Sequence, residues 1–320
     1  MAAGQTVLIT GATGLVGGRL ARALIRQGAA VRALTRNPAA AAGRLGATIS
    51  AVGWDGHRIP PDAVAGTSAV VHLAGEPVFT GPLTASRRRR IRDSRVESTR
   101  SLVEALGALH PAERPAAFAC ASAVGFYGSR GEERLDESAP PGEGFLAEVC
   151  RAWESAAFAA APLGVRTVAL RIGIVLAREG GALPGMARLF RLGAGGRLGR
   201  GDQWLPWIHV DDLVALIRCA LQDDRYRGPV NAVAPEPVRN ADFTRALART
   251  LRRPALLAAP AFALRLGLGE LASELLDSRR VVPQAALDAG FAFRHPAIES
   301  ALAEELGGAA ARPASVGGGT

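Results

Sequence analysis

The sequence predicts an α/β fold, a doubly wound parallel sheet followed by a small, mostly helical lobe. Three observations predict it. Short apolar runs alternate with helical patterns over the first two-thirds of the chain. A glycine-rich turn joins the first run to the first helix. From about Asn240 the pattern becomes mostly helical.

Strands are expected at Thr6–Thr10, Val31–Thr35, Ile49–Val52, Ala69–Leu73, Ala116–Ala121 and Val165–Arg171, each short and apolar, as strands buried on both faces are. Helices are expected between them at Leu15–Gln27, Arg92–Ala108 and Phe145–Ala161, and right-handed crossovers then wind the sheet on both sides. Residues 177–206, rich in glycine and arginine, read as a helix flanked by loops on the surface or over a site. "DDLVALIRCALQ" reads as a helix capped by Asp211 or Asp212. Residues 1–239 are thus expected to form the main domain, residues 240–306 the helical lobe and residues 307–320 a disordered tail.

The 320 residues are 48% hydrophobic, a globular composition. No apolar run approaches the ~18–20 residues that span a bilayer. The N-terminus lacks the basic-then-apolar order of a signal peptide. Cys120, Cys150 and Cys219 are an odd set without metal-site spacing, which suits a reducing cytoplasm. The net charge of +9 raises nucleic-acid binding, but every basic residue other than histidine is an arginine and lysine is absent. That reads as a compositional bias and not a binding patch, apart from "SRRRRIRDSR" at 86–95. The expected partner is a small molecule, with neither nucleic acid nor membrane, and the oligomeric state is left open.

In "VLITGATGLVGGRLARAL", Gly11, Gly14 and Gly17 follow the first strand and open the first helix. The first allows a tight turn, the second lets backbone approach a pyrophosphate, and the third permits close helix–strand packing. This is the phosphate-binding turn of a Rossmann fold. At the end of the second strand an acidic residue would bind a ribose 2′-hydroxyl. Thr35 and Arg36 stand there instead, with Arg32 just before, and an arginine suits a 2′-phosphate. The expected cofactor is therefore NADP(H). Its contacts are assigned to Gly11, Thr13, Gly14, Leu15, Val16, Thr35, Arg36, Leu73, Ala74, Gly75, Arg95 and Arg171. Asp55, in "GWDG", either accepts from the adenine amino group or serves only its turn.

"TGATGLVG", "HLAG", "SAVGFYG", "RIGIVL" and "WIHVDDL" together resemble the extended and atypical short-chain dehydrogenase/reductases. "SRVESTR", "FLAEVCRAWE", "WLPWIHVDDL" and "VVPQAALDAGFAFRHPAIESAL" resemble one branch, the epimerase-family or nucleoside-diphosphate-sugar-epimerase-like proteins. Some of its members carry a cell-division-inhibitor label. The resemblance spans roughly residues 5–306. It implies an NADP(H)-binding Rossmann domain whose C-terminal lobe helps form a substrate cleft.

Most members of that superfamily use a Tyr-x-x-x-Lys pair on one helix face, the lysine lowering the tyrosine pKa and holding the nicotinamide ribose. This chain has no lysine, and its tyrosines are Tyr127 and Tyr226. Aligning Glu154 with the usual acidic residue of that helix puts Leu146 at the tyrosine position and Cys150 at the lysine position. The catalytic candidates left are three. Ser122, at the end of the fifth strand, could polarise a carbonyl, although an offset of one would put Ala123 there. Tyr127, in "GFYG", could act as general acid or only pack the loop. Arg95 takes the place of an asparagine that usually supports the lysine, and could restore the missing positive charge. Cys150 reads as inert core, and His209 as structural beside a capping Asp211. The cleft is expected to draw on Glu76–Leu83, Tyr127–Gly131, Gly180–Met186 and Gln203–Trp207, the last offering two indoles to a flat or sugar-like ligand. Two functions stay open: an NADP-dependent oxidoreductase or epimerase-like enzyme, and a non-catalytic NADP(H) binder.

Overall fold

In the computed structural model, residues 4–46 and 49–307 are described. Thr6–Thr10, Ala30–Thr35, Ile49–Gly53, Ala69–His72, Ala117–Ala123, Arg166–Ile172 and Gly228–Ala232 form one seven-stranded sheet. Numbered along the chain, the strands lie in the order 7-6-5-4-1-2-3, and every neighbouring pair is parallel. The order reverses between the first and fourth strands. A crevice opens at the carboxyl ends of the strands there, which is where ligands of such sheets bind.

The sheet is covered on both faces, as its short apolar strands require. Val7 and Ile9 face one core with Leu20, Leu24, Leu213 and Ile217, while Leu8 faces the other with Val96, Leu102, Phe118 and Trp153. The helices Leu15–Arg26 and Val210–Gln222 cover the first face. The helices Ala85–Gly107 and Phe145–Phe158 cover the second. The former starts seven residues before the expected Arg92. Thr84 caps it by accepting from the Arg87 N–H at 3.3 Å, and arginine is itself a good helix former.

Two further differences have local causes. The seventh strand was not expected, because "GPVNA" opens with Gly-Pro and carries a polar residue, Asn231, at its fourth position. The helix at Val210 is capped by neither aspartate. The His209 imidazole accepts from the Asp211 N–H at 3.2 Å, Asp211 pairs with Arg19 at 2.6 Å, and Asp212 accepts from the Arg294 and His295 N–H groups. Past Asn240 the helices Asn240–Leu251, Ala261–Leu268, Leu271–Leu276, Gln284–Asp288 and Ile298–Leu306 make up the C-terminal helical region. The expected tail lies outside the described residues, apart from Gly307.

A charged network is buried at the carboxyl edge of the fifth to seventh strands. Arg171 meets Glu154 through two parallel contacts of 2.9 Å, and both residues are nearly inaccessible. Burial alone would lower the Arg171 pKa, but the hydrogen bonds and charge of Glu154 outweigh it and raise it. Breaking a pair of this kind strands a charge in the interior. Arg171→Met is expected to cost about 3–5 kcal/mol in urea unfolding, and a loss under about 1 kcal/mol, the range of exposed pairs, would show that the pair is not buried.

Candidate functional site

The crevice at the switch point holds a groove of about 480 Å³ lined by Gly11, Thr13, Gly14, Thr35, Arg36, Trp54, Asp55, Leu73, Ala74 and Gly75, among others. Its geometry depends on missing side chains. Gly11 sits at φ 71°, and a Cβ there would stand 2.9 Å from the Leu73 carbonyl carbon. A Cβ on Gly17 would stand 2.3 Å from the Gly11 carbonyl oxygen, so the first helix could not pack where it does. The helix starts just after Gly14, with its free N–H groups at the groove and no acidic residue in the first turn. These features fit a dinucleotide pyrophosphate.

Leu15 and Val16 are half-buried in the first helical turn, and Gly180 and Gly181 pack over Leu15. Arg36 is exposed at the groove, and Arg90 of the arginine run lines it too. Arg32 is engaged elsewhere, donating to the Ala63 and Ala65 carbonyls at 3.0 and 2.7 Å. Asp55 accepts from the His57 and Arg58 N–H groups, which hold its carboxyl below the usual range. It therefore serves its turn, while still lining the groove.

A directed hydrogen-bond chain fixes the Leu73–Gly75 wall. The Leu73 and Ala74 N–H groups donate to the Thr10 hydroxyl oxygen, each at 3.2 Å. Thr10 is then left to donate to Nδ1 of His72 at 2.8 Å, and Nε2–H of His72 donates to Ser98 at 3.0 Å. Ser98 donates to the Ser94 carbonyl at 2.7 Å. Burial, helped by the Arg95 charge, lowers the His72 pKa to about 4, so the ring stays neutral as the chain requires.

Arg95 lies under this wall. A Cβ on Gly75 would stand 3.2 Å from its guanidinium carbon, and the guanidinium sits 5.2 Å from the Trp153 ring centroid. It also lies within electrostatic reach of Cys150, the position matched to the missing lysine. Among the described residues it has no ion-pair partner, and its hydrogen bonds run to its own helix, at Ile91 and Ser94. The arginine run is more than a solvated helix start. Arg87 is buried and braces the Pro77 and Val78 carbonyls, and Arg88 faces a second cavity.

That cavity, of about 860 Å³, is lined by Gly125 and Leu146 and by stretches within 128–130, 141–146 and 270–279. It includes Leu83 and Gly128–Arg130 of the expected lining but neither Gly180–Met186 nor Gln203–Trp207. Trp207 is buried, and the Trp204 indole donates to Glu132 at 3.0 Å, so the two indoles do not face a ligand here. Pro141–Leu146 and Glu270–Arg279 take their place. The second of these stretches comes from the C-terminal region, about 130 residues away in sequence.

Three site expectations are corrected by the buried network. Ser122 donates to Glu154 at 2.7 Å and is almost inaccessible, so its hydroxyl is committed away from a substrate. Tyr127 is fully buried. It donates to Asn231 at 2.7 Å and accepts from Arg171 at 2.8 Å, and burial pushes its pKa to about 12. A phenol so placed packs and bridges and is not positioned as a cleft acid. Arg171 itself is consumed by Glu154 and Tyr127 and does not line the nucleotide groove. Cys150 is buried, and burial pushes its thiol to about 11, in keeping with inert core.

The profile of the NAD dependent epimerase/dehydratase family matches residues 7–232, and that of a domain of unknown function, DUF1731, matches residues 259–305. The chain is 40% identical over 303 residues to the chloroplastic epimerase family protein SDR39U1 homolog of Arabidopsis thaliana, covering 93% of this chain and 86% of that one. It is 37% identical to the epimerase family protein ML0860 of Mycobacterium leprae, covering 92% and 94%. The human epimerase family protein SDR39U1, solved with NADPH, superposes with a TM-score of 0.84 at 30% identity, covering 95% of this chain and all of that one. The chain belongs to the NAD dependent epimerase/dehydratase family.

Stability should respond to pH through His72. An unfolded histidine takes its proton near pH 6.5 and the folded His72 only near pH 4. Its contribution is therefore full above the first value and is lost as pH falls toward the second. In urea titrations, wild type is expected to lose on the order of 3 kcal/mol more than His72→Gln between these limits. Parallel losses in the two proteins would contradict the neutral chain.

Proposed function

We propose that this member of the epimerase family binds NADP(H) in the switch-point groove and acts as an oxidoreductase or epimerase-like enzyme on a small, sugar-like or aromatic molecule held in the larger cavity. The observation that carries the reading is the fit of the groove to a dinucleotide. Its glycines allow close backbone approach, a helix N-terminus faces it, and Arg36 and Arg90 stand at its rim without an acidic residue at the end of the second strand. The human relative solved with NADPH supports the choice of cofactor. Bound NADPH supplies a transferable hydride.

The protein's own residues would divide the remaining work. Gly11 and Gly14 receive the pyrophosphate, and Arg36 pairs with the 2′-phosphate through charge-assisted bonds. The wall held by Thr10 and His72 carries the nicotinamide ribose, and Arg95 beneath it supplies the positive charge that lysine supplies elsewhere. Leu146 and Gly125 line the cavity and would form its floor, beside the nicotinamide.

With Ser122 and Tyr127 committed to the buried network, the cavity's carboxyls become the proton carriers. Glu274 and Asp277 are the candidates: burial raises both carboxyls, while Arg279, at 3.0 and 2.8 Å, opposes the rise. The lining arginines are already paired, Arg88 with Glu270, Arg130 with Glu133, and Arg279 with Asp277 and Glu274. A substrate without phosphates suits such a wall. A reducing, cytoplasmic setting suits the three free thiols.

A second reading, a non-catalytic NADP(H) binder, is favoured by one observation, that both candidate catalytic hydroxyls are tied up in the interior. Arg95 separates cofactor binding from cavity effects. In fluorescence titration, Arg95→Ala is expected to weaken NADPH binding ~10-fold or more, the scale of one lost charge-assisted contact. Arg88→Ala, altered in the cavity alone, is expected to change it less than about twofold, since an exposed pair contributes little. Equal effects would overturn the assignment of Arg95 to the cofactor.

A further inference from the structure

The C-terminal region carries a basic cavity away from both the groove and the larger cleft. About 570 Å³ of space at the end of the helix Asn240–Leu251 is lined by Arg245, Arg249, Arg252 and Arg253 with Ala248, Pro254 and Ala255. Arg245 pairs with Asp242 and Arg249 with Glu299. Arg252 and Arg253 have no carboxylate partner among the described residues, and both are exposed. Arg252 closes the helix in the left-handed conformation, φ 53°, the sole positive φ outside glycine among the described residues. Glycine is the residue for which that backbone is cheap, yet here it carries a guanidinium to the rim.

The chain that leaves this cavity is apolar and bare. Leu256 is 89% exposed, Phe262 72% and Leu266 88%, and the helix Ala261–Leu268 buries none of its eight residues. Leu257–Ala259 runs in parallel beside Gly196–Leu198, which follows the exposed Leu189 and Leu192. Exposed arginines at 188, 191, 197 and 265 stand among these leucines. A soluble partner would need to match scattered apolar side chains and unpaired cations at once. The surface of an anionic bilayer does so without shape complementarity: apolar side chains enter the headgroup–acyl boundary and guanidinium groups hold the phosphates.

We propose that the face formed by residues 245–268, with Leu189 and Leu192 beside it, docks on an anionic lipid bilayer, with Arg252 and Arg253 binding headgroup phosphates. No described helix is long and apolar enough to cross a membrane, so the contact is peripheral. It departs from the sequence expectation of no membrane partner, which rested on the lack of a spanning segment.

The test is co-sedimentation of the full chain with vesicles of phosphatidylcholine alone or of equal parts phosphatidylcholine and phosphatidylglycerol. Binding is expected only to the anionic vesicles, and to weaken as salt is raised. Arg252→Gly combined with Arg253→Ser keeps a residue suited to the left-handed turn, and Phe262→Ser combined with Leu266→Ser changes exposed positions only. Each pair is expected to reduce binding ~10-fold or more, with the thermal midpoint and NADPH affinity unchanged. The proposal is overturned by absent or equal binding to both vesicles, by unchanged binding in either pair of variants, or by a self-associated state in solution that covers Phe262 and Leu266. Arginine-dependent binding to duplex DNA without binding to vesicles would overturn it as well.

Discussion

Arg171 and Glu154 are buried together at the carboxyl edge of the sheet, and the chemistry left to this protein follows from that pair. A guanidinium and a carboxylate can leave water only when their hydrogen-bonding capacity is met inside. Glu154 meets part of its share by accepting from Ser122, and Arg171 by donating to Tyr127, which in turn donates to Asn231 of the seventh strand. The Arg171 guanidinium also lies 3.5 Å from the Phe126 ring centroid. Satisfying the pair therefore draws the nearby hydroxyls inward. Ser122 and Tyr127 become parts of the core, and the cleft is lined by other side chains, among them Glu270, Glu274, Asp277, the paired arginines and Leu146.

The cofactor side is built on the opposite logic, close approach in place of charge burial. Gly11 and Gly17 let strand, turn and helix come nearer than any Cβ would allow, and the turn then faces the Leu73–Gly75 wall that follows the fourth strand. That wall is oriented by Thr10 and a neutral His72, whose Nε2–H reaches the helix that carries Arg95. One chain of donors thus couples the wall to the helix bearing the candidate replacement for lysine. Arg19 ties the far side. From the first helix it reaches Glu179 and Asp211 at 2.5 and 2.6 Å, joining that helix to the segments that follow the sixth strand.

Much of the sheet was legible because its strands are local apolar runs. Thr6–Thr10 was read to the residue, and the next five strands within two residues at either end. The seventh was hidden by its own chemistry, since Asn231 is polar and its buried amide is satisfied by distant partners, Tyr127 about a hundred residues earlier and the Val282 carbonyl about fifty later. The glycine turn, Arg36 and the Leu73–Gly75 wall were readable as local motifs. The fates of Ser122, Tyr127 and Arg171 were not, because each depends on a partner distant in sequence, and so was the contribution of Glu270–Arg279 to the cleft. "QWLPW" misled for the same reason: aromatic residues mark a ligand cleft or a core equally well, and Trp207 went to the core.

The nicotinamide ribose is expected to rest over Arg95, with the ring open to the cavity floored by Leu146. A crystal structure of the NADPH complex measures this directly. In this placement a guanidinium nitrogen of Arg95 is expected within about 3 Å of a ribose or amide oxygen. The hydride-bearing C4 is expected to face the cavity, with nothing packed on it. A nicotinamide covered by apolar side chains, or an Arg95 still bonded only to its own helix, would contradict it.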